Sequence, residues 1–263
     1  MKHEKIEKTV KIEREKGQIL TNLFGEWEEA LVWSFLQGCM GDAWADNDKI
    51  PVSGQIMCGD FCYFAGEPDE NLVKNWPVIP GDEFIIMVPQ NEEWGRLIEE
   101  IYGEKSRKVT RYAIKKERGI FESERLLQIE KELDPKYYVQ LIDENCYRQI
   151  MDQEWSRDLC SQYGSFEKFD QNALGVVVLY EGTVVSGASS YVHFRDGIEI
   201  EIDTREDFRR KGLAAACGAR LVRECMERGL YPSWDAQNRW SVALAQKLGY
   251  HFDKEYDAYE VTI

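Results

Sequence analysis

Histidine is scarce and long apolar runs are missing, and each gap removes a class of function. The three histidines, His3, His193 and His251, are too few to build a His-based metal centre, and no metal is expected. No stretch approaches the roughly 20 apolar residues that a bilayer span requires. The alternating Lys and Glu of Met1 to Lys16 contain no apolar signal-peptide core. The expected setting is therefore the cytoplasm, with no membrane partner. Paired Cys-x-x-Cys motifs are also absent. The seven cysteines, at 39, 58, 62, 146, 160, 217 and 225, form an odd and scattered set that reads as reduced thiols rather than a disulfide framework. Positive charge is in deficit as well, with 33 basic residues against 48 acidic ones and a net charge of −15. Phosphate neutralisation dominates nucleic-acid binding, so nucleic acid is excluded as a principal partner. A cationic small molecule remains compatible with the charge, although an acidic surface equally serves solubility.

What is present describes a globular protein. The 263 residues are 43% hydrophobic and 31% charged, enough for one large domain or two modest ones. In the first half, Trp27, Leu31, Phe35 and Cys39 recur at helical spacing, so a helix is expected over Trp27 to Met40, closed by Gly38 and Gly41. Ile56 to Phe64 reads as a strand flanked by Gly54 and Gly66. Phe84 to Val88 reads as a short buried strand between Pro80-Gly81 and Pro89. A helix over Glu92 to Tyr102 and a strand over Val109 to Lys116 follow. The charged stretch from Glu117 to Lys136 reads as a helix and a domain boundary, giving a mixed α/β domain over 1–125 and a second domain over 126–263.

The second half is richer in signals. Tyr137 to Ile142 reads as a strand, and Asp143 to Phe169 as two or three short helices broken near Gly164. Trp155, Tyr163, Phe166 and Phe169 read as packed core, with an acceptor pocket as the alternative. Leu174 to Tyr180 and Val184 to Phe194 flank a Glu181-Gly182 hairpin turn, and a second turn at Asp196-Gly197 leads into Ile198 to Thr204. A basic turn, Arg209-Arg210-Lys211-Gly212, then opens a helix to Arg228 with Leu213, Cys217, Leu221 and Cys225 on one face. Between Arg205 and Arg228 seven basic side chains face four acidic ones, a basic island in an acidic chain. A helix start presents unpartnered N–H groups and partial positive charge, which suits a phosphate. Gly212 removes the Cβ where a ligand would approach the backbone. Tyr231 to Ala236 is a strand, Asn238 caps a helix that ends at Gly249, and His251 to Ile263 is a final β segment.

Strand, basic turn, helix, short strand and Asn-capped helix follow the order of the GNAT N-acetyltransferases. Arg209, Gly212 and Ala214 match that family's pyrophosphate loop, and Asn238, Leu244, Gly249 and Tyr250 match its later helix, with Ser241 in the small-residue place. The chain resembles the family over roughly residues 130–263. The resemblance implies an α/β fold with a mixed sheet, in which a GNAT-like acyl-CoA N-acyltransferase domain is preceded by a smaller mixed α/β domain. It leaves open that residues 1–125 are a diverged GNAT-like half. It also implies acetyl-CoA as co-substrate, lying in a V-shaped opening between two adjacent parallel strands. The backbone of Ile202, Asp203 and Thr204 would pair with the pantetheine arm. The amides of Arg210, Lys211, Gly212, Leu213, Ala214 and Ala215 would hold the pyrophosphate. Arg209 would support the loop with its cationic side chain, Asn238 would bond the cofactor arm, with a plain helix cap as its alternative or companion role, and Ser241 is counted among the cofactor-binding residues.

Acetylation of an amine needs a proton acceptor, donors for a developing oxyanion and a proton donor for the thiolate. Glu199 and Glu201 share one face of the strand before the loop and are the candidate bases, each with surface glutamate as the alternative. Asp235 sits just before the Asn-capped helix. Two departures from the family stand out. Ala245 occupies the place of the usual proton-donating tyrosine, and Ser233 the place of a glutamate base found in some members. Tyr231, Tyr250 and Tyr256 are the available substitutes for the donor. The expected function is acetyl transfer from acetyl-CoA to a primary amine of a small molecule or an exposed amine. The alternative is a coenzyme-A-binding protein without turnover, acting as a sensor or interaction module. The sequence leaves a homodimer open.

Overall fold

The computed structural model describes residues 9–76 and 83–263. The Pro80-Gly81 turn, His3 and the first eight residues of the charged N-terminus lie outside the described residues. The chain divides into two compact units, one ending at Arg111 and including Tyr256–Ile263, the other spanning Tyr112–Glu255. One division of the chain falls between Arg111 and Tyr112. Ile114 and Leu126 are both buried in the core of the second unit, so the segment carrying them belongs there.

In the first unit, β1 (Val10–Ile12), β2 (Asp42–Ala45), β3 (Ser53–Cys58) and β4 (Phe61–Gly66) pair antiparallel in order, and β5 (Phe84–Pro89) lies parallel to β4. Residues 259–262 of the C-terminal strand pair antiparallel with β5. Helices α1 (Thr21–Phe24) and α2 (Ala30–Leu36) fall between β1 and β2, α3 (Glu70–Lys74) between β4 and β5, and α4 (Glu92–Tyr102) after β5. The single strand expected over Ile56 to Phe64 is a hairpin, because Gly59 adopts φ 61° and turns the chain inside that apolar run. The helix expected from Trp27 is regular only over Ala30–Leu36, since Glu29 is extended and Gly38 reverses the chain at φ 79°. Trp94 stacks on Phe64 at 5.1 Å in a core shared with Leu72, Met87 and Ile98.

In the second unit the end of β6 (Ser106–Ile114) leads to α5 (Ser123–Lys131) and β7 (Tyr137–Leu141). After α6 (Glu144–Met151), two short 3₁₀ turns and α7 (Phe166–Asn172) come β8 (Gly175–Tyr180), β9 (Thr183–Phe194) and β10 (Gly197–Thr204). Then follow α8 (Leu213–Glu227), β11 (Tyr231–Ser233), β12 (Asp235–Ala236), α9 (Arg239–Leu248) and the start of β13 (Phe252–Thr262). The sheet order is β11-β10-β9-β8-β7, antiparallel except for the parallel β10–β11 pair. The Glu181-Gly182 turn has both residues at positive φ, 51° and 80°, as the twist of a tight hairpin requires. Ile198 and Ile200 of β10 meet Leu213, Cys217 and Leu221 of α8 in the core. Period-2 alternation therefore sends Glu199 and Glu201 to the opposite face.

The two units share an order of elements that their letters do not display. Each runs a series of antiparallel strands, then a strand parallel to the last, then a helix capped by asparagine. Asn91 Oδ1 accepts from Glu93 N and Trp94 N ahead of α4, and Asn238 Oδ1 accepts from Trp240 N and Ser241 N ahead of α9.

Candidate active site at a strand split

The site is built by the way β10 and β11 part. Their ladder pairs Gly197 with Tyr231, Ile198 with Pro232 and Glu199 with Ser233, and stops there. Trp234 follows, and β12 then pairs with β6, placing Asp235 opposite Ala113. The strand expected over Tyr231 to Ala236 is thus two strands with a break at Trp234. At the same level the β9–β10 register skips Tyr191, because Glu199 faces Val192 while Ile200 faces Ser190. Such a bulge adds local twist and bends the strand. Ile200 to Thr204 keep β9 on one edge, while the other edge diverges from its former neighbour.

At the upper end of β10 the chain makes the expected basic turn. Arg209 Nε donates to the Thr204 carbonyl at 3.1 Å, tying the turn to the strand end. Lys211 Nζ donates to the Asp207 carbonyl at 2.7 Å and lies 4.4 Å from the Phe208 ring, so this cation is partly spent within the turn. Arg210 is exposed and left-handed at φ 60°. Gly212, at φ 83°, is the N-cap of the fifteen-residue α8 and leaves its first amides without a side-chain cap. A Cβ placed there would meet nothing within 4 Å. The glycine therefore serves its backbone angle and an open approach rather than internal packing. Leu213 and Ala215 are buried and Ala214 is half-buried, which leaves their amides as the groups directed along the helix axis.

The remaining expected residues are placed as follows. Ile202 packs against the α8 core. Asp203 Oδ1 accepts from Thr204 N at 2.6 Å, and burial raises the Asp203 carboxyl above its ordinary range. The Thr204 hydroxyl shares a 2.7 Å hydrogen bond with Ser186. Ser241 Oγ accepts from the Trp234 indole at 3.1 Å, joining the strand break to the first turn of α9. Because β10 and β11 are parallel, the helices that follow them both begin at the same end of the sheet, beside the split.

Glu199 stands at the foot of the split. It is buried, and its Oε1 accepts from Asp235 N at 2.6 Å, while Oε2 has no hydrogen-bond partner. Burial raises its carboxyl above the ordinary range, and the nearby Lys116 ammonium and then the Ser233 hydroxyl oppose that shift. Lys116, which the sequence did not single out, donates to Ser233 Oγ at 2.9 Å and to the Trp234 carbonyl at 3.1 Å. Glu201 is half-buried and lies opposite Ser189.

The tyrosines are held by other partners. The Tyr250 hydroxyl donates to the Pro232 carbonyl at 2.8 Å within the core, and burial raises it well above its ordinary value. The Tyr231 hydroxyl donates to the Lys115 carbonyl at 3.3 Å and is pushed up to about 12, chiefly by burial. Tyr256 belongs to the first unit. Tyr163, Phe166 and Phe169 pack with Tyr147 as an aromatic cluster, which is the core reading of that segment. Burial pushes the thiols of Cys58, Cys217 and Cys225 up to about 12, so none of these serves as a thiolate nucleophile at neutral pH. Among the described residues no group of three or more His, Cys, Asp or Glu side chains is arranged to hold a metal. No helix among them is long and apolar enough to cross a membrane.

Comparison with known proteins converges on one family. The family model described as GNAT acetyltransferase matches residues 21–259. A crystal structure of a GCN5-related N-acetyltransferase-like protein from Streptococcus suis is 45% identical, covers 95% of this chain and 100% of that one, and superposes with a TM-score of 0.88. An uncharacterized N-acetyltransferase of Bacillus subtilis is 37% identical over 99 residues. That match spans 37% of this chain and 38% of the relative, well under two thirds of its length. A tandem GNAT protein from the clavulanic acid biosynthesis pathway shares the fold at 7% identity and a TM-score of 0.57, over 97% of this chain and 98% of that one.

Proposed function

The chain belongs to the GNAT acetyltransferase family, a family of acyltransferases, and from that premise we propose that it transfers an acetyl group from acetyl-CoA to a primary amine of a small molecule or an exposed amine. The observation that carries the proposal is the split itself. A parallel pair opens after Glu199, and one of its strands runs into a helix start with free amides and an uncrowded glycine. The residues fit the co-substrate. The amides from Arg210 to Ala215 would hold a pyrophosphate, Arg209 would keep the turn in place, and the diverging edge from Ile202 to Thr204 would take the amides of an extended arm. Asn238 would border that arm while its Oδ1 keeps the cap. Acetyl-CoA supplies an activated thioester when bound; the chain supplies position and proton transfer.

For the base we assign Glu199 rather than Glu201. The family carboxylate missing at Ser233 is replaced directly across the ladder, since Glu199 is the cross-strand partner of Ser233. Its Oε1 is committed to the Asp235 amide, so Oε2, beside the Ser233 hydroxyl, is the oxygen that would accept a proton from the amine, directly or through one water. No dedicated donor is assigned to the departing thiolate, whose basicity is modest. Ala245 is fully buried and Tyr250 is bonded to Pro232; this observation favours coenzyme-A binding without turnover as the second reading. The test is release of free thiol from acetyl-CoA across a panel of amines. Release that depends on the amine supports transfer. Tight coenzyme binding with no release on any amine replaces it with the second reading. The first unit we take to be a diverged GNAT-like half, supported by its shared order of elements and by the tandem fold likeness.

A further inference from the structure

The segment after β6 contains Lys116, which lies outside every motif used so far. A strand that leaves a sheet leaves backbone groups in need of partners, and residues 113–116 take up several of those created by the break after β11. Ala113 pairs with Asp235. The Lys115 carbonyl accepts from the Tyr231 hydroxyl at 3.3 Å, and the Lys115 amide donates to the His251 carbonyl at 2.9 Å. Lys116 Nζ takes the Trp234 carbonyl and the Ser233 hydroxyl. One further group at the break, the Asp235 amide, is taken by Glu199. Ammonium and carboxylate thus hold consecutive residues of the break, Lys116 taking Ser233 and Trp234 and Glu199 taking Asp235.

A buried carboxylate with one partnerless oxygen is costly without a counter-charge. The groups facing Glu199 include the Ser233 hydroxyl across the β11 ladder, Asp235 from β12, which is of the same sign, the phenols of Tyr231 and Tyr250, Val192 across the β9 ladder, and Lys116. Lys116 supplies the opposing charge. We propose that Lys116 is a positioning residue: it pins the strand break at Ser233 and Trp234 and stands as the counter-charge to the Glu199 carboxylate across the same rung of the ladder. The proposal rests on the assignment of Glu199 as the base, and its decisive test needs no turnover.

The test is a carbon-13 carboxyl NMR titration of the full chain, with Glu199→Gln identifying the resonance. Lys116→Met is expected to move the Glu199 midpoint up by about one pH unit or more, and Lys116→Arg to restore it. Should Lys116→Met fail to fold, Lys116→Gln carries the same measurement. In turnover, Lys116→Met is expected to lower kcat/KM at pH 7 about tenfold and to move its acid limb upward by the same interval. The Kd for acetyl-CoA is expected to stay within about twofold. An unmoved midpoint, or an arginine variant that fails to restore it, overturns the proposal. A moved midpoint in a chain that releases no thiol upholds the Lys116–Glu199 linkage and rejects the acetyl-transfer reading instead.

Discussion

The two units follow one plan and differ at the point where a phosphate would bind. In the second unit β10 leads into a basic turn, a left-handed glycine with open space around it, and a fifteen-residue helix whose first amides are uncapped. In the first unit β4 leads through Glu67-Pro68-Asp69 into a five-residue helix, and Asp69 accepts from Asn71 N at 2.8 Å. The glycines differ in kind as well. A Cβ on Gly66 would stand 2.1 Å from the Val52 carbonyl oxygen, so that glycine serves close chain packing. The β4–β5 pair holds four rungs and β4 ends two residues later, whereas β10 runs five residues past the last of its three rungs with β11. The plan alone therefore does not make a coenzyme site. The proposed site needs in addition an uncapped helix start beside a parted strand pair, and the first unit has filled its helix start with a carboxylate.

The largest effect expected from breaking this contrast is at the base. Glu199→Gln keeps an acceptor for the Asp235 amide and is predicted to lower turnover by about 10²- to 10⁴-fold with acetyl-CoA binding intact, as read by thiol release and calorimetry. Its effect on stability has a defined sign. Burial raises the folded-state carboxyl above its unfolded value, so the native chain holds this proton to higher pH than the unfolded chain does. The associated stability is present below the ordinary glutamate range and is lost as pH rises through the raised value. The glutamine variant removes that loss and flattens the curve in denaturant titrations across this window.

Next in size is Gly212→Asp, which brings into the second unit the device that the first unit uses at Asp69. Acetyl-CoA affinity is predicted to fall by about 100-fold through repulsion and lost amide contacts. Thermal stability should change by no more than about 1 kcal/mol, because a new cap offsets the strain of φ 83°. Its counterpart, Asp69→Ala, is predicted to cost about 1 kcal/mol and leave affinity unchanged. Asn238→Ala and Asn91→Ala should each cost about 1 kcal/mol of stability, and the former alone should also weaken coenzyme binding. Equal binding in the two asparagine variants would remove Asn238 from the site. The smallest effect is expected from Tyr250→Phe, which loses its bond to Pro232 at a cost of about 1 kcal/mol while turnover is unchanged. A large fall in turnover would restore Tyr250 as the proton donor.

Where local chemistry decides, the letters were sufficient. Glu92 to Tyr102 form their helix at the expected residues, and Gly182, Gly212 and Gly249 take the positive φ their motifs imply. The same holds for the strand, turn and helix that frame the proposed coenzyme site. What escaped the sequence depends on pairing at a distance. The break at Trp234 exists because β6 captures Asp235 and Ala236, and nothing within Tyr231 to Ala236 marks it. Lys116 lies 117 positions from the serine it grips and reads locally as one more charged residue. The hairpin at Gly59 was legible, since Gly59-Asp60 between two apolar runs is a two-residue turn signal that the single-strand reading passed over, and the shared plan of the units shows in strand order rather than in residue identity.

The most direct measurement of the central claim is hydrogen–deuterium exchange of the full chain with and without acetyl-CoA. Ligand-dependent protection is predicted in two stretches, Ile200 to Thr204 and Arg210 to Ala215, with the matching stretches of the first unit, residues 61–66 and 70–74, unchanged. Protection confined to the first unit, or none in either stretch at saturating ligand, would contradict the assignment of the strand split as the coenzyme site.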